Sequence, residues 1–94
     1  MPGNVPPEIR PNSATQSVSC YVFIATRAAR GDLATGEGAR LQPAMNAWRL
    51  RVRQEHPADG GVQATAERVS AIQRENSPEQ IRVGSEYCAA HAPQ

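Results

Sequence analysis

The side chains in this sequence best suited to nucleophilic or metal chemistry are two cysteines, Cys20 and Cys88, and two histidines, His56 and His91. Each cysteine lies in an apolar stretch, Val18-Ser19-Cys20-Tyr21-Val22-Phe23-Ile24 and Val83-Gly84-Ser85-Glu86-Tyr87-Cys88-Ala89-Ala90. Two readings fit. They are separate buried thiols, since free cysteine is among the most buried residue types, or they form one disulfide that closes most of the chain into a loop. The disulfide is the expectation. By the chain-entropy argument such a loop stabilises the fold by about 4 kcal/mol, though the mechanism is model-dependent. That is comparable to the whole net stability of a small domain.

Other chemistry has few parts to work with. Cys88 and His91 are three residues apart on one helix face, and with Cys20 and His56 they would make a Cys2His2 zinc set. No C-x-x-C pair is present, however, and His56 directly precedes Pro57. A Cys–His nucleophile pair needs an oxyanion site, and no glycine-rich turn supplies one. Glu55, Glu67, Glu75, Glu79 and Glu86 fall on helix faces that read as solvated, and Asp32 and Asp59 fall in turns, where Asp bonds its own backbone. Phosphate-loop, dinucleotide and metalloprotease motifs are absent. The expectation is no catalytic residue, no metal and no cofactor.

The densest positive cluster is Arg49, Arg51 and Arg53, with Arg40 and Trp48 nearby. One reading is a solvated helix face paired with Glu55. The other is an anion or partner contact, with Trp48 as a platform for a stacked base. Trp48 shares the apolar stripe of its helix, which favours a core position. All ten basic residues are arginine. A GC-rich genome produces that usage; selection for guanidinium forks that bind phosphate or carboxylate is the alternative. Ten arginines against nine acids leave a net charge of +1, whereas general nucleic-acid binders show a clear basic excess.

These residues must be positioned by helices. The run 18–25 has strand-like residue types, but its flanks read as helix. Ser13 stands as N-cap with Gln16 three residues on, and Gly31 as C-terminal cap. One helix from about Ser13 to Arg30, apolar nearly all round, is a central helix. A second is clearest from Leu41 to Arg53, where Leu41, Met45, Trp48 and Val52 line one face. Pro43 belongs near its first turn or at a kink after a weaker segment, and His56-Pro57 ends it. A third runs from about Val62 to Glu75, with Val62, Ala66, Val69 and Ile72 on one face and Asn76 as its cap. A fourth starts at Ser77-Pro78-Glu79-Gln80, with Ser at N-cap, Pro at N1 and Gln at N3, and reaches about Ala90.

The predicted fold is therefore all-α: a small four-helix bundle, up-and-down with short loops, over residues 13–94. Residues 1–12, with Pro2, Pro6, Pro7 and Pro11, read as a flexible or disordered Pro-rich leader. Ninety-four residues make one domain with a thin core, which buries about 60–65% of the unfolded surface. No apolar stretch reaches the roughly 18 residues of a membrane span. The first residues lack the basic and apolar regions of a signal peptide, so the chain is cytoplasmic or is a mature exported form.

By layout the chain resembles a loose class of small exported helical proteins from GC-rich alphaproteobacteria. The residues that carry the likeness are the Pro-rich start, the cysteine opening an apolar helix (Cys20-Tyr21-Val22-Phe23-Ile24-Ala25), and the late helix with a second cysteine (Tyr87-Cys88-Ala89-Ala90-His91). The resemblance implies a helical fold and an exported location, and no activity. The resulting expectation is a non-enzymatic domain that binds a protein partner in the cell envelope, periplasmic or secreted, and is compatible with a homo-oligomer. The rival is a nucleic-acid-binding or regulatory module using Arg40, Arg49, Arg51 and Arg53.

Overall fold

The apolar run 18–25 is helical, and the other helices pack around it. In the computed structural model, which describes residues 5–29 and 36–93, the elements are α1 (Gln16–Ala29), α2 (Glu37–Glu55), α3 (Val62–Glu75) and α4 (Pro78–Ala90). A short 3-10 turn, Pro7–Ile9, precedes them, and no strand occurs among the described residues. Helix α1 touches α2, α3, α4 and the 3-10 turn, and α2 also meets α4. It is the central helix that its apolar circumference predicts.

Side-chain pairings give the helix directions. Ser17, at the start of α1, donates to Glu55 at the end of α2 (3.0 Å). Going up α1, Cys20 meets Cys88, and Arg27 meets Ser85 and Glu86. Helices α2 and α4 therefore both run opposite to α1, as an up-and-down bundle requires. The core comprises Ile9 of the 3-10 turn, Val18, Cys20, Val22, Phe23 and Ile24 of α1, Leu41, Ala44, Trp48 and Val52 of α2, Ile72 of α3, and Ile81 and Cys88 of α4. The α2 stripe is as predicted: Leu41, Trp48 and Val52 are buried and Met45 packs against them. Pro43 sits on the exposed side of α2, inside the helix, where its missing N–H removes one rung of the ladder.

Local chemistry sets the boundaries. Ser77 Oγ accepts from the Gln80 backbone N–H (3.2 Å), and Gln80 Oε1 accepts from the Ser77 N–H (2.7 Å). This is the predicted reciprocal cap of α4. Between α2 and α3, Asp59 accepts from the backbone N–H groups of Gly61 (2.9 Å) and Gln63 (3.1 Å). These bonds, Gln63 first, hold its carboxyl below the ordinary aspartate value. Gly61 takes φ +86° and lies so close to Val52 that a Cβ would meet Val52 Cγ1 at 2.2 Å. Only glycine combines that backbone with that approach.

Three expectations need correction. The leader does not extend to residue 12. Ile9 is fully buried in the core, and the Arg10 guanidinium donates twice to the Val5 carbonyl (3.2 and 2.9 Å). Residues 5–9 are held against the bundle, because Ile9 fills a space that α1 and α4 leave; residues 1–4 lie outside the described residues. Helix α1 begins at Gln16 rather than Ser13. The Gln16 side chain does not reach back to Ser13: its Nε2 donates to the Ile9 carbonyl (3.1 Å), and Ser13 Oγ accepts from the Thr15 N–H in a preceding turn (3.2 Å). The predicted cap at Gly31 and the predicted turn at Asp32 lie outside the described residues. Finally, the α3 stripe is only half buried. Ile72 is in the core and Val69 packs beside it, but Val62 is 70% exposed and Ala66 is exposed. In the first turn of α3 it is Ala64, not Val62, that packs against the core.

Candidate functional site

Cys20 and Cys88 are joined by a disulfide with a Cα–Cα distance of 5.4 Å, at the centre of the α1–α4 contact. Both sulfurs are thereby committed, so neither is a thiolate ligand or a nucleophile. His91 stacks on Tyr87 (ring centroids 4.1 Å apart) with its Nδ1 at the Tyr87 carbonyl (2.8 Å). Among the described residues, no three of His, Cys, Asp and Glu gather into a metal-holding group. No helix there is long and apolar enough to cross a membrane.

The four arginines of the predicted cluster do not stay together. Arg40 leaves it for α4: its NH1 reaches Glu86 Oε1 (3.1 Å) and its NH2 reaches Glu86 Oε2 (2.6 Å) in a two-pronged pair. Arg27 of α1, only 5% exposed, approaches the same carboxylate (NH1–Oε2 2.6 Å) and donates to Ser85 Oγ (3.1 Å). Sequence reasoning placed Glu86 on a solvated face and gave Arg27 no role. The usable signal was spacing. Arg27 lies three and seven residues from Ile24 and Cys20 and so shares their buried face, where a guanidinium requires a carboxylate.

The Arg40 fork, and after it Arg27, hold the Glu86 carboxyl below the ordinary glutamate value against the opposing effect of partial burial. A carboxyl depressed in the folded state stabilises the fold above its unfolded pKa, and that contribution is lost as pH falls through the lower folded value. The stability of the wild-type protein should therefore fall between roughly pH 5 and pH 3 more steeply than that of Glu86→Gln, which cannot titrate. Urea titrations of both proteins across that range measure the difference. Parallel curves would remove Glu86 from the acid response.

Next to this network, α2 and α4 form a shallow cleft of 440 Å³ floored by alanines (Ala44, Ala47, Ala89, Ala92) and closed at one end by the Arg40–Glu86 pair. Its only charges neutralise each other, and it presents no nucleophile.

Arg49 and Arg53 stand one turn apart on α2 and form a ridge between two depressions. On one side is a groove of 350 Å³ among α1, α2 and α3, with Tyr21, Val52, Gly61, Val62 and Ala66 in its lining. On the other is a hollow with Asn46 and Leu50. Arg51 lies roughly 160–200° around the helix from both and belongs to neither. Among the described residues, Arg49, Arg51 and Arg53 have no carboxylate within ion-pair distance; the predicted partner Glu55 instead accepts from Ser17. Trp48 is buried, with Nε1 donating to the Cys88 carbonyl (2.9 Å). It is a core residue and offers no face to a stacked base. No known family, curated protein or solved structure matches this chain.

Proposed function

We propose that this chain is a non-enzymatic domain that binds a protein partner, and that it works in the cell envelope or outside the cell. The observation that carries the reading is the two large apolar side chains left exposed among the described residues, Val62 (70% exposed) and Leu50 (57% exposed), which flank the Arg49–Arg53 ridge. Apolar anchors beside arginine are the composition of protein interfaces. The location is supported by the disulfide, since such bonds persist in oxidising compartments and are rare in the cytosol.

A photo-crosslinking amino acid at position 62, and separately at position 74 on another face of α3, tests the reading in the native cell. A discrete protein adduct is expected at position 62 only, unchanged by nuclease. An adduct that nuclease removes, or no adduct at position 62, would overturn it. Alkylation of intact cells before lysis tests the location, where two reactive thiols would move the protein to the cytoplasm.

A further inference from the structure

We infer that the groove among α1, α2 and α3 is the docking site for an acidic, amphipathic peptide segment of the partner; this rests on the protein-binding reading and specifies its site and chemistry. Leu50 and Val62 are the two large hydrophobic residues left exposed among the described residues, and each lies in a depression walled by the same two arginines. The floor of the Val62 groove is apolar: the Val52 side chain lies under Gly61, with half-buried Tyr21 and the first turn of α3 beside it.

The charge in the lining has one sign. Arg49 and Arg53 have no carboxylate partner among the described residues, and no acid lines either depression. Asp59, beside Gly60 and Gly61 in the chain, uses both its oxygens on the N–H groups of Gly61 and Gln63. Residues four apart on a helix face each other about 5–6 Å apart, so the two guanidiniums match carboxylates spaced one turn apart on a partner. A segment with two such acids and an apolar side chain between or beside them satisfies the arginines and covers Val62.

A nucleic acid fits less well. Backbone phosphates are held by extended basic tracks, whereas this ridge has two arginines on a chain of net charge +1. Bases stack on exposed aromatic faces, and Trp48 is in the core.

Panning a phage-displayed random peptide library on the oxidised full-length protein tests the inference. Selected peptides should be enriched in Asp and Glu together with Leu, Ile or Phe. A synthetic copy should lose about tenfold in affinity for Arg49→Glu and for Arg53→Glu, and should bind Arg51→Glu as it binds wild type. All three positions are exposed, and circular dichroism of each variant checks that it is folded. Amide chemical shifts should move at Thr65 and Ala66. No acidic enrichment, or an equal loss with Arg51→Glu, overturns the assignment. Peptides that shift Ala47 and Ala89 instead would place binding in the α2–α4 cleft; the groove would then fall while the protein-binding reading stands. A single-stranded RNA dodecamer that binds through Arg49 and Arg53, with an affinity falling steeply as salt rises, would overturn both.

Discussion

Replacing Cys88 by alanine should lower the melting temperature by about 20 °C, the largest effect expected of any single substitution here. The bond spans 68 residues, so its loss frees nearly the whole unfolded chain, worth about 4 kcal/mol in the chain-entropy model. In a domain of this size each kcal/mol moves the midpoint by about 4–8 °C. Cys20→Ala should cost about the same, and the double variant little more than either alone, because the second substitution has no bond left to remove. Thermal unfolding followed by circular dichroism, with and without reductant, measures this. Reductant should shift wild type toward the variants and leave the variants unmoved. Trp48 gives a second signal. Its indole N–H is bonded to the Cys88 carbonyl, so loosening α4 should expose the ring and red-shift its emission. A midpoint lowered by under about 5 °C would mean that the core alone holds the bundle.

What the sequence discloses about this molecule divides by the range of the interaction. The start of α4 is written in four consecutive residues: Ser77 and Gln80 satisfy each other's backbone N–H groups, with Pro78 and the acidic Glu79 in the first turn between them. The α2 stripe is legible because Leu41, Trp48 and Val52 repeat at the helical period. The disulfide was legible because the chain offers two cysteines, each in an apolar helix. The misreadings involve long-range partners. The start of α1 is displaced because Gln16 bonds to Ile9, and Ile9 itself is one of few apolar residues in a stretch whose prolines dominate its composition. Arg27 is buried against Ser85 and Glu86, 58 and 59 residues away. No local pattern announces that pairing, and the same carboxylate draws Arg40 out of the basic cluster. The groove was hidden for the converse reason. Val62 has the spacing of a core residue, and only the turn at Gly60-Gly61 lifts it out.

Gly84→Ala should destabilise the protein by about 3 kcal/mol, although alanine is the better helix former by roughly 1 kcal/mol. The position separates intrinsic propensity from packing. Gly84 lies mid-helix in α4 and is buried. A Cβ there would stand 2.4 Å from both Cδ2 and Cε2 of Phe23, and 3.3 Å from Ile9 Cδ1. The ring is not a flexible tip that can swing aside: Phe23 and Ile9 are both fully buried. The helices cannot simply separate either, because one turn along, Cys20 and Cys88 fix the same two backbones at 5.4 Å. The methyl must therefore push Phe23 off its rotamer or shift Ile9 out of the core, and each disturbs contacts made by the other. The clash is with a specific ring, so a smaller neighbour should relieve it. Phe23→Leu alone opens a cavity and is expected to cost about 1–2 kcal/mol, but placed in the Gly84→Ala background it should recover part of the loss. Urea unfolding of the two single variants and the double variant gives the coupling, which should favour the pair by more than about 1 kcal/mol. A Gly84→Ala protein as stable as wild type would mean that α1 and α4 do not meet at Gly84 as closely as described, and that Ile9 does not complete the core there.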